Sequence, residues 1–238
     1  MIKAKAICLI SDGIDSPVAT FLIAQKKVEV IGIHFDNKPM IKPVKKYLAE
    51  QKKILYNESE KQIYNIAQQL VNSFETQIIF DLYTIPNGED LKIFKTSDDP
   101  KLTCILCKRQ MIRKAELLAD QLNADYIVTG EILGEQASQT IENLSNIHET
   151  LRKKQLLRPI IGLNKDEITI IARKIGTMQF SEKASKFTCA AVPDKPAIQA
   201  KLDRIYRLED KIEIDKLAIE SVRMAKKITF KKNLSTIS

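Results

Sequence analysis

The stretch Ala6-Ile7-Cys8-Leu9-Ile10-Ser11-Asp12-Gly13-Ile14-Asp15-Ser16-Pro17-Val18-Ala19-Thr20-Phe21-Leu22 decides the fold. Its first five residues form an unbroken apolar run, as expected of a strand buried on both faces. Residues 19–24 read as a helix, and the small polar turn between them contains Gly13. A turn of this kind leaves backbone N–H groups unpaired at the positive end of a helix dipole, which is a cradle for an anion, most often phosphate. The turn has neither the Gly-Lys-Ser/Thr ending of a Walker loop nor a G-x-G-x-x-G pattern. The plainer alternative is an ordinary strand–turn–helix with a Ser or Asp cap.

Further along, residues 28–35 read as a second strand, too close behind the first helix for anything but a parallel crossover. Ile63, Ile66, Ala67, Leu70 and Val71 recur at helical spacing within 58–73. A third strand is expected over 76–83, then a polar loop over 85–101 containing Pro86, Asn87 and Gly88. A helix over 104–122 carries Met111, Ala115, Leu118 and Leu122 on one face, and 125–129 is a fourth strand. A short strand falls within 156–161. Asn164 and Glu167 form a capping box for a helix that Gly176 ends.

This alternation predicts an α/β fold with a parallel five-stranded sheet and helices on both faces. Residues 1–196 make the domain, and 197–238 are a charged helical extension packed on it. In such sheets ligands bind beyond the carboxyl ends of the strands. The Ser11 turn, His34-Phe35 and Thr129-Gly130-Glu131 all lie at such ends and should converge on one pocket.

The 238 residues carry a net charge of +8, and the last 44, from Lys195, hold 11 Lys and Arg against 6 Asp and Glu. That balance suits a polyanion such as RNA. No run approaches the roughly 20 apolar residues that span a bilayer. The first residues enter the first strand directly without a secretion signal, so a cytoplasmic protein with no membrane partner is expected.

Six motifs occur in order: 11–18, Cys104-Ile105-Leu106-Cys107-Lys108-Arg109, Thr129-Gly130-Glu131-Ile132-Leu133-Gly134, Ala137-Ser138-Gln139-Thr140, Leu157-Arg158-Pro159-Ile160 and Ile175-Gly176-Thr177. The first resembles the Ser-Gly-Gly-x-Asp-Ser pyrophosphate (PP) loop of enzymes that split ATP into AMP and pyrophosphate. Together, over residues 5–196, they resemble the ATP-binding domain of the 4-thiouridine tRNA sulfurtransferase family, which is also linked to thiamine biosynthesis. The resemblance implies that ATP adenylates a uridine O4 in tRNA and that sulfur then displaces AMP. It implies Ser11, Gly13, Asp15 and Ser16 at the phosphates, with Mg2+ bridging them. It also implies Lys108, Gly130 and Gln139 as ATP contacts, and Leu9, His34 and Phe35 beside adenine. Lys165, at a helix start, is a further phosphate candidate, and Asp15 and Ser16 count with Cys189 as catalytic. His34 and Lys108 also have plainer readings, a satisfied strand-end histidine and a solvated helix charge. Asp12 stands where the family has glycine, and a carboxylate there repels an anion unless it points away or helps hold Mg2+.

Cys189, in Phe187-Thr188-Cys189-Ala190-Ala191-Val192-Pro193, matches the family's catalytic cysteine, which takes part in persulfide sulfur transfer. No rhodanese domain and no N-terminal RNA-binding module lie within this sequence. The resemblance implies tRNA, a sulfur donor (sulfide or a cysteine desulfurase) and a second copy in a homodimer as partners, and the missing module suggests a separate RNA-binding protein. Cys104-x-x-Cys107 is typical of archaeal relatives. With Cys189 it offers three thiols, which suit an iron–sulfur cluster with one open iron; zinc, or a Cys104–Cys107 disulfide, remains the alternative. Cys8, inside the first strand, reads as a small buried apolar residue. Two other readings are a ligase of the same superfamily using ammonia, and a nucleotide-binding subunit without activity.

Overall fold

In a computed structural model of the chain, residues 4–44, 52–184 and 187–233 are described. Five strands run parallel: β1 (Lys5–Leu9), β2 (Glu29–Asp36), β4 (Ile79–Pro86), β5 (Tyr126–Val128) and β6 (Gln155–Leu157). With β8 (Lys226–Lys231) at one edge, the sheet order is β6-β5-β1-β2-β4-β8, so the chain reverses its direction of winding at β1 and opens a crevice there. Alternation along β1 explains the unbroken apolar run. Ala6, Cys8 and Ile10 join a core with helices α1 (Asp15–Ala24), α2 (Lys52–Ser73) and α6 (Lys165–Lys174). Ile7 joins the opposite core, with α4 (Thr103–Gln121) and α9 (Ile214–Arg223). The capping box at Asn164 and Glu167 forms as the sequence predicts, and Gly176 follows the helix at φ +75°.

Two local readings are corrected. The expected loop over 85–101 contains α3 (Gly88–Lys95), with Glu89 and Asp90 in its first turn and Lys92 and Lys95 in its last, where each charge complements the helix dipole. Leu91 and Phe94 anchor it by burial. The tail is helical through α8 (Leu202–Lys211) and α9, but Lys226–Lys231 is not helix. It forms β8, a sixth strand antiparallel to β4. Its period-two pattern sets Phe230 against Tyr64, ring centroids 6.1 Å apart, while its lysines line the outer sheet edge. Lysines on an edge oppose further strand addition. A separate two-stranded ribbon pairs β3 (Ile41–Pro43) with β7 (Phe187–Cys189), setting Ile41 opposite Cys189. Helices α5 (Ile141–His148) and α7 (Met178–Ala184) and two short 3-10 turns, Pro100–Leu102 and Ala137–Gln139, complete the described elements. No described helix is long and apolar enough to cross a membrane.

Candidate nucleotide site

Past the carboxyl ends of β1 and β5 lies a cavity of about 210 Å³. Its wall takes Leu9, Ser11, Asp15 and Ser16 from the first turn, Lys108 and Met111 from α4, Thr129, Gly130 and Glu131 from the end of β5, and Gln136 and Gln139 beyond. The turn is shaped by its own side chains. Ser16 Oγ accepts the Ser11 N–H at 2.8 Å and lies 3.1 Å from Ser11 Oγ, which accepts the Gly13 N–H at 3.3 Å. No side chain caps α1. The plain capped-helix reading therefore fails, and the helix dipole points at the turn.

Gly130 is where the two walls meet. A Cβ there would sit 2.6 Å from both the nitrogen and the Cα of Ser16. Backbone cannot yield as a flexible side chain can, so Gly130→Ala is expected to displace the turn and weaken nucleotide binding about tenfold or more. Isothermal calorimetry with MgATP checks this; unchanged affinity would show that the turn does not touch the ligand.

The charges of the cavity are arranged in pairs. Lys165 Nζ lies 3.0 Å from Asp15 Oδ1. Glu131, 6% exposed, holds Lys108 Nζ at 3.0 Å on Oε1, and Arg158 Nε at 2.7 Å and Thr129 Oγ1 at 3.2 Å on Oε2. Burial pushes its carboxyl up, but Lys108 and Arg158 outweigh burial and hold it below the usual carboxylate range.

Gly13, His34, Phe35 and Lys165 are not on the cavity wall, although Lys165 reaches it through Asp15. His34 Nδ1 is 3.0 Å from the Ile10 carbonyl, which can only accept, so Nδ1 carries hydrogen. Burial lowers the His34 pKa, with the Ile10 contact and Asp12 opposing, which favours a neutral ring. Asp12 is likewise absent from the wall. Burial pushes its carboxyl up, with His34 opposing. Phe35 is buried, with the Lys114 ammonium 6.0 Å from its ring centroid.

All four cysteines are free, and Cys8 is fully buried with its thiol pushed up to about 12, chiefly by desolvation. Cys104 and Cys107 open α4, and β7 brings Cys189 to them. Burial raises the Cys104 thiol, and Cys189 raises it further while Lys108 opposes. Cys107 is pushed up to about 12, first by burial, with Cys189 and Cys104 adding to it and a hydrogen bond from Asn87 opposing. The three thiols therefore share one neighbourhood. Even so, among the described residues no group of three or more His, Cys, Asp or Glu side chains is placed to hold a metal ion. Lys108 connects that neighbourhood to the cavity.

Thr129 and Glu131 line the wall as the strand ends predict, whereas Met111 and Gln136 on the wall and Arg158 behind it are not among the ligand contacts expected from sequence. The signal for Arg158 was present, since it follows the carboxyl end of a parallel strand.

A family model described as "Thiamine biosynthesis protein (ThiI)" matches residues 1–214. A probable tRNA sulfurtransferase of Methanocaldococcus jannaschii is 33% identical over 214 residues, covering 89% of this chain and 51% of that protein. One from Thermococcus kodakarensis is 37% identical over 180 residues, 75% of this chain and 42% of that protein. The chain thus spans about half the length of the curated relatives it matches. Among solved structures, a 4-thiouridine synthetase–RNA complex with bound ATP superposes at TM-score 0.83 and 26% identity, over 96% of this chain and 55% of that one. An NMN synthetase from Francisella tularensis, at TM-score 0.50 and 14% identity over 93% of this chain and 83% of that one, shares the fold alone.

Proposed function

Because the chain belongs to the ThiI family, we propose that it is an ATP-dependent sulfurtransferase that converts a uridine of tRNA to 4-thiouridine. The observation that carries this reading is Lys108. It lines the cavity that the PP-loop-like turn also lines, and Cys104 lies one turn earlier on the same helix, α4. A phosphate site and a thiol site thus adjoin.

A uracil carbonyl oxygen is a poor leaving group. Attack of the uridine O4 on the α-phosphorus of ATP releases pyrophosphate and turns that oxygen into AMP, a good one. A sulfur nucleophile then forms the bond to C4 as AMP departs. The amides of the turn, with Lys108 and Lys165, stabilise charge that develops on pyrophosphate. Ser11 and Ser16 hold the turn in shape. Sulfide attacks C4 directly; sulfur from a cysteine desulfurase is instead carried as a persulfide on Cys189, whose outer sulfur bonds C4, after which a second thiol attacks the Cys189 sulfur, frees the thiouridine and leaves a disulfide for an external thiol reductant.

Mg2+ ordinarily binds through one or two carboxylates plus substrate phosphates rather than in an all-protein cage. Asp15 on the cavity wall fits that role, and the ion neutralises phosphate charge when bound. An iron–sulfur cluster fits less well. Cys104, Cys107 and Cys189 have the right donor chemistry, but as placed they do not assemble a metal-holding group. No step is therefore routed through one. Iron and labile-sulfide analysis of anaerobically purified protein decides between a cluster and three free thiols.

The net charge of +8 fits a tRNA partner. A separate RNA-binding protein and a second copy of the chain are proposed as further partners. The test is 4-thiouridine formation on unmodified tRNA with MgATP and sulfide, with and without a relative's RNA-binding portion added. Product that requires ATP supports the function. ATP binding with no product under either condition would overturn tRNA thiolation and leave a nucleotide-binding role.

A further inference from the structure

Glu131 is an acid in a cavity read as a site for a polyanion, and such a placement needs a reason. Its two oxygens are used differently. Oε2 is anchored, taking Arg158 Nε at 2.7 Å and Thr129 Oγ1 at 3.2 Å, while Arg158 is itself tied to the Leu144 carbonyl at 3.2 Å. Among the described residues Oε1 has a single partner, Lys108 Nζ at 3.0 Å. Glu131 is 94% buried by its 6% exposure, whereas the Lys108 side chain is 23% exposed and on the cavity wall. A fixed carboxylate thus presents one free edge to one movable cation.

Resting on the ATP reading above, we infer that Glu131 is a positioning residue that aims the Lys108 ammonium at the phosphates of bound nucleotide. Arg158 serves as the brace that keeps the carboxylate still. The site gives up some anion affinity for this aim. Lys108, Arg158 and Lys165 face the two carboxylates Asp15 and Glu131, and removing one of those negative charges leaves the cavity more attractive to a triphosphate. Loss of the aim, however, lets the ammonium wander from where charge develops on pyrophosphate. Affinity and turnover should therefore move in opposite directions, which the loss of a merely structural ion pair would not produce.

The experiment compares wild type, Glu131→Gln and Glu131→Asp by calorimetry with MgATP, by AMP release with unmodified tRNA and sulfide, and by thermal melting. Glu131→Gln is expected to bind MgATP about fivefold more tightly and to turn over about tenfold or more slowly. Glu131→Asp keeps the charge and the Arg158 partner but shortens the reach. It should bind within about twofold of wild type and still turn over about tenfold more slowly. Glu131→Gln binding no more tightly than wild type, or both variants turning over at the wild-type rate, would overturn the inference. If Glu131→Gln does not fold, Glu131→Asp alone decides. Wild type that fails to bind MgATP would overturn the ATP reading itself, and shows before either variant is measured.

Discussion

With a cysteine desulfurase as sulfur donor, Cys189→Ser is expected to abolish 4-thiouridine formation, with a loss of about a thousandfold or more, while MgATP affinity stays within about twofold. Cys189 is not on the cavity wall, so the substitution leaves the nucleotide contacts intact. It lies on β7, where its Sγ accepts the Ala191 N–H at 3.4 Å, and serine can keep a hydrogen bond there. A hydroxyl cannot carry sulfane sulfur, so only the sulfur half of the reaction should fail. Thiolated-nucleoside analysis of tRNA, paired with calorimetry, reads both halves. A Cys189→Ser enzyme that still thiolates would move the sulfur chemistry to Cys104 or to free sulfide.

The second large effect concerns stability. Glu209 of α8 is 3% exposed and receives two arginines of α4. Arg109 donates to it at 2.6 and 2.9 Å, and Arg113 at 2.8 and 2.5 Å. Arg109 is 1% exposed, is also tied to the Asn146 carbonyl, and lies over the Tyr206 ring at 5.5 Å. Glu209→Ala leaves the buried Arg109 guanidinium with only the exposed Glu149 at 3.4 Å as counter-charge, a loss that costs about 3 kcal/mol. Denaturant unfolding at pH 7 measures the loss; under about 1 kcal/mol would show that water replaces the carboxylate.

The pH dependence of that term has a definite sign. Burial raises the Glu209 carboxyl, but the hydrogen bonds and charges of Arg109 and Arg113 outweigh it and hold the folded-state value below the unfolded 4.5. A depressed folded value means the unfolded chain binds the proton more readily, so stability falls as the pH is lowered. The contribution is full above 4.5 and is lost as pH falls through the folded value. The gap between wild type and Glu209→Ala should therefore narrow below 4.5. A gap that widens there would reverse the assignment.

Local sequence carries some of this and not the rest. The capping box at Asn164 was legible because a cap is a matter of spacing over four residues. Lys226–Lys231 was not, because a six-residue amphipathic segment after two charged helices continues a helical reading equally well. It becomes a strand through the open edge of β4, which lies more than 140 residues earlier in the chain. Arg109 shows the same limit at the level of role. It falls inside a motif read for chemistry, yet its function is to hold α8, because Glu209 is 100 residues away in sequence.

By itself the sequence determined the alternation of strand and helix, the PP-loop-like turn at the end of β1, and the family, since these rest on short-range spacing and the order of motifs. Only the tertiary structure decided that Glu131 pairs with Lys108, that Lys165 pairs with Asp15, and that β7 sets Cys189 opposite Ile41. Each is a contact between elements far apart in the chain. Sheet order and helix packing, rather than local propensity, set which side chains meet there.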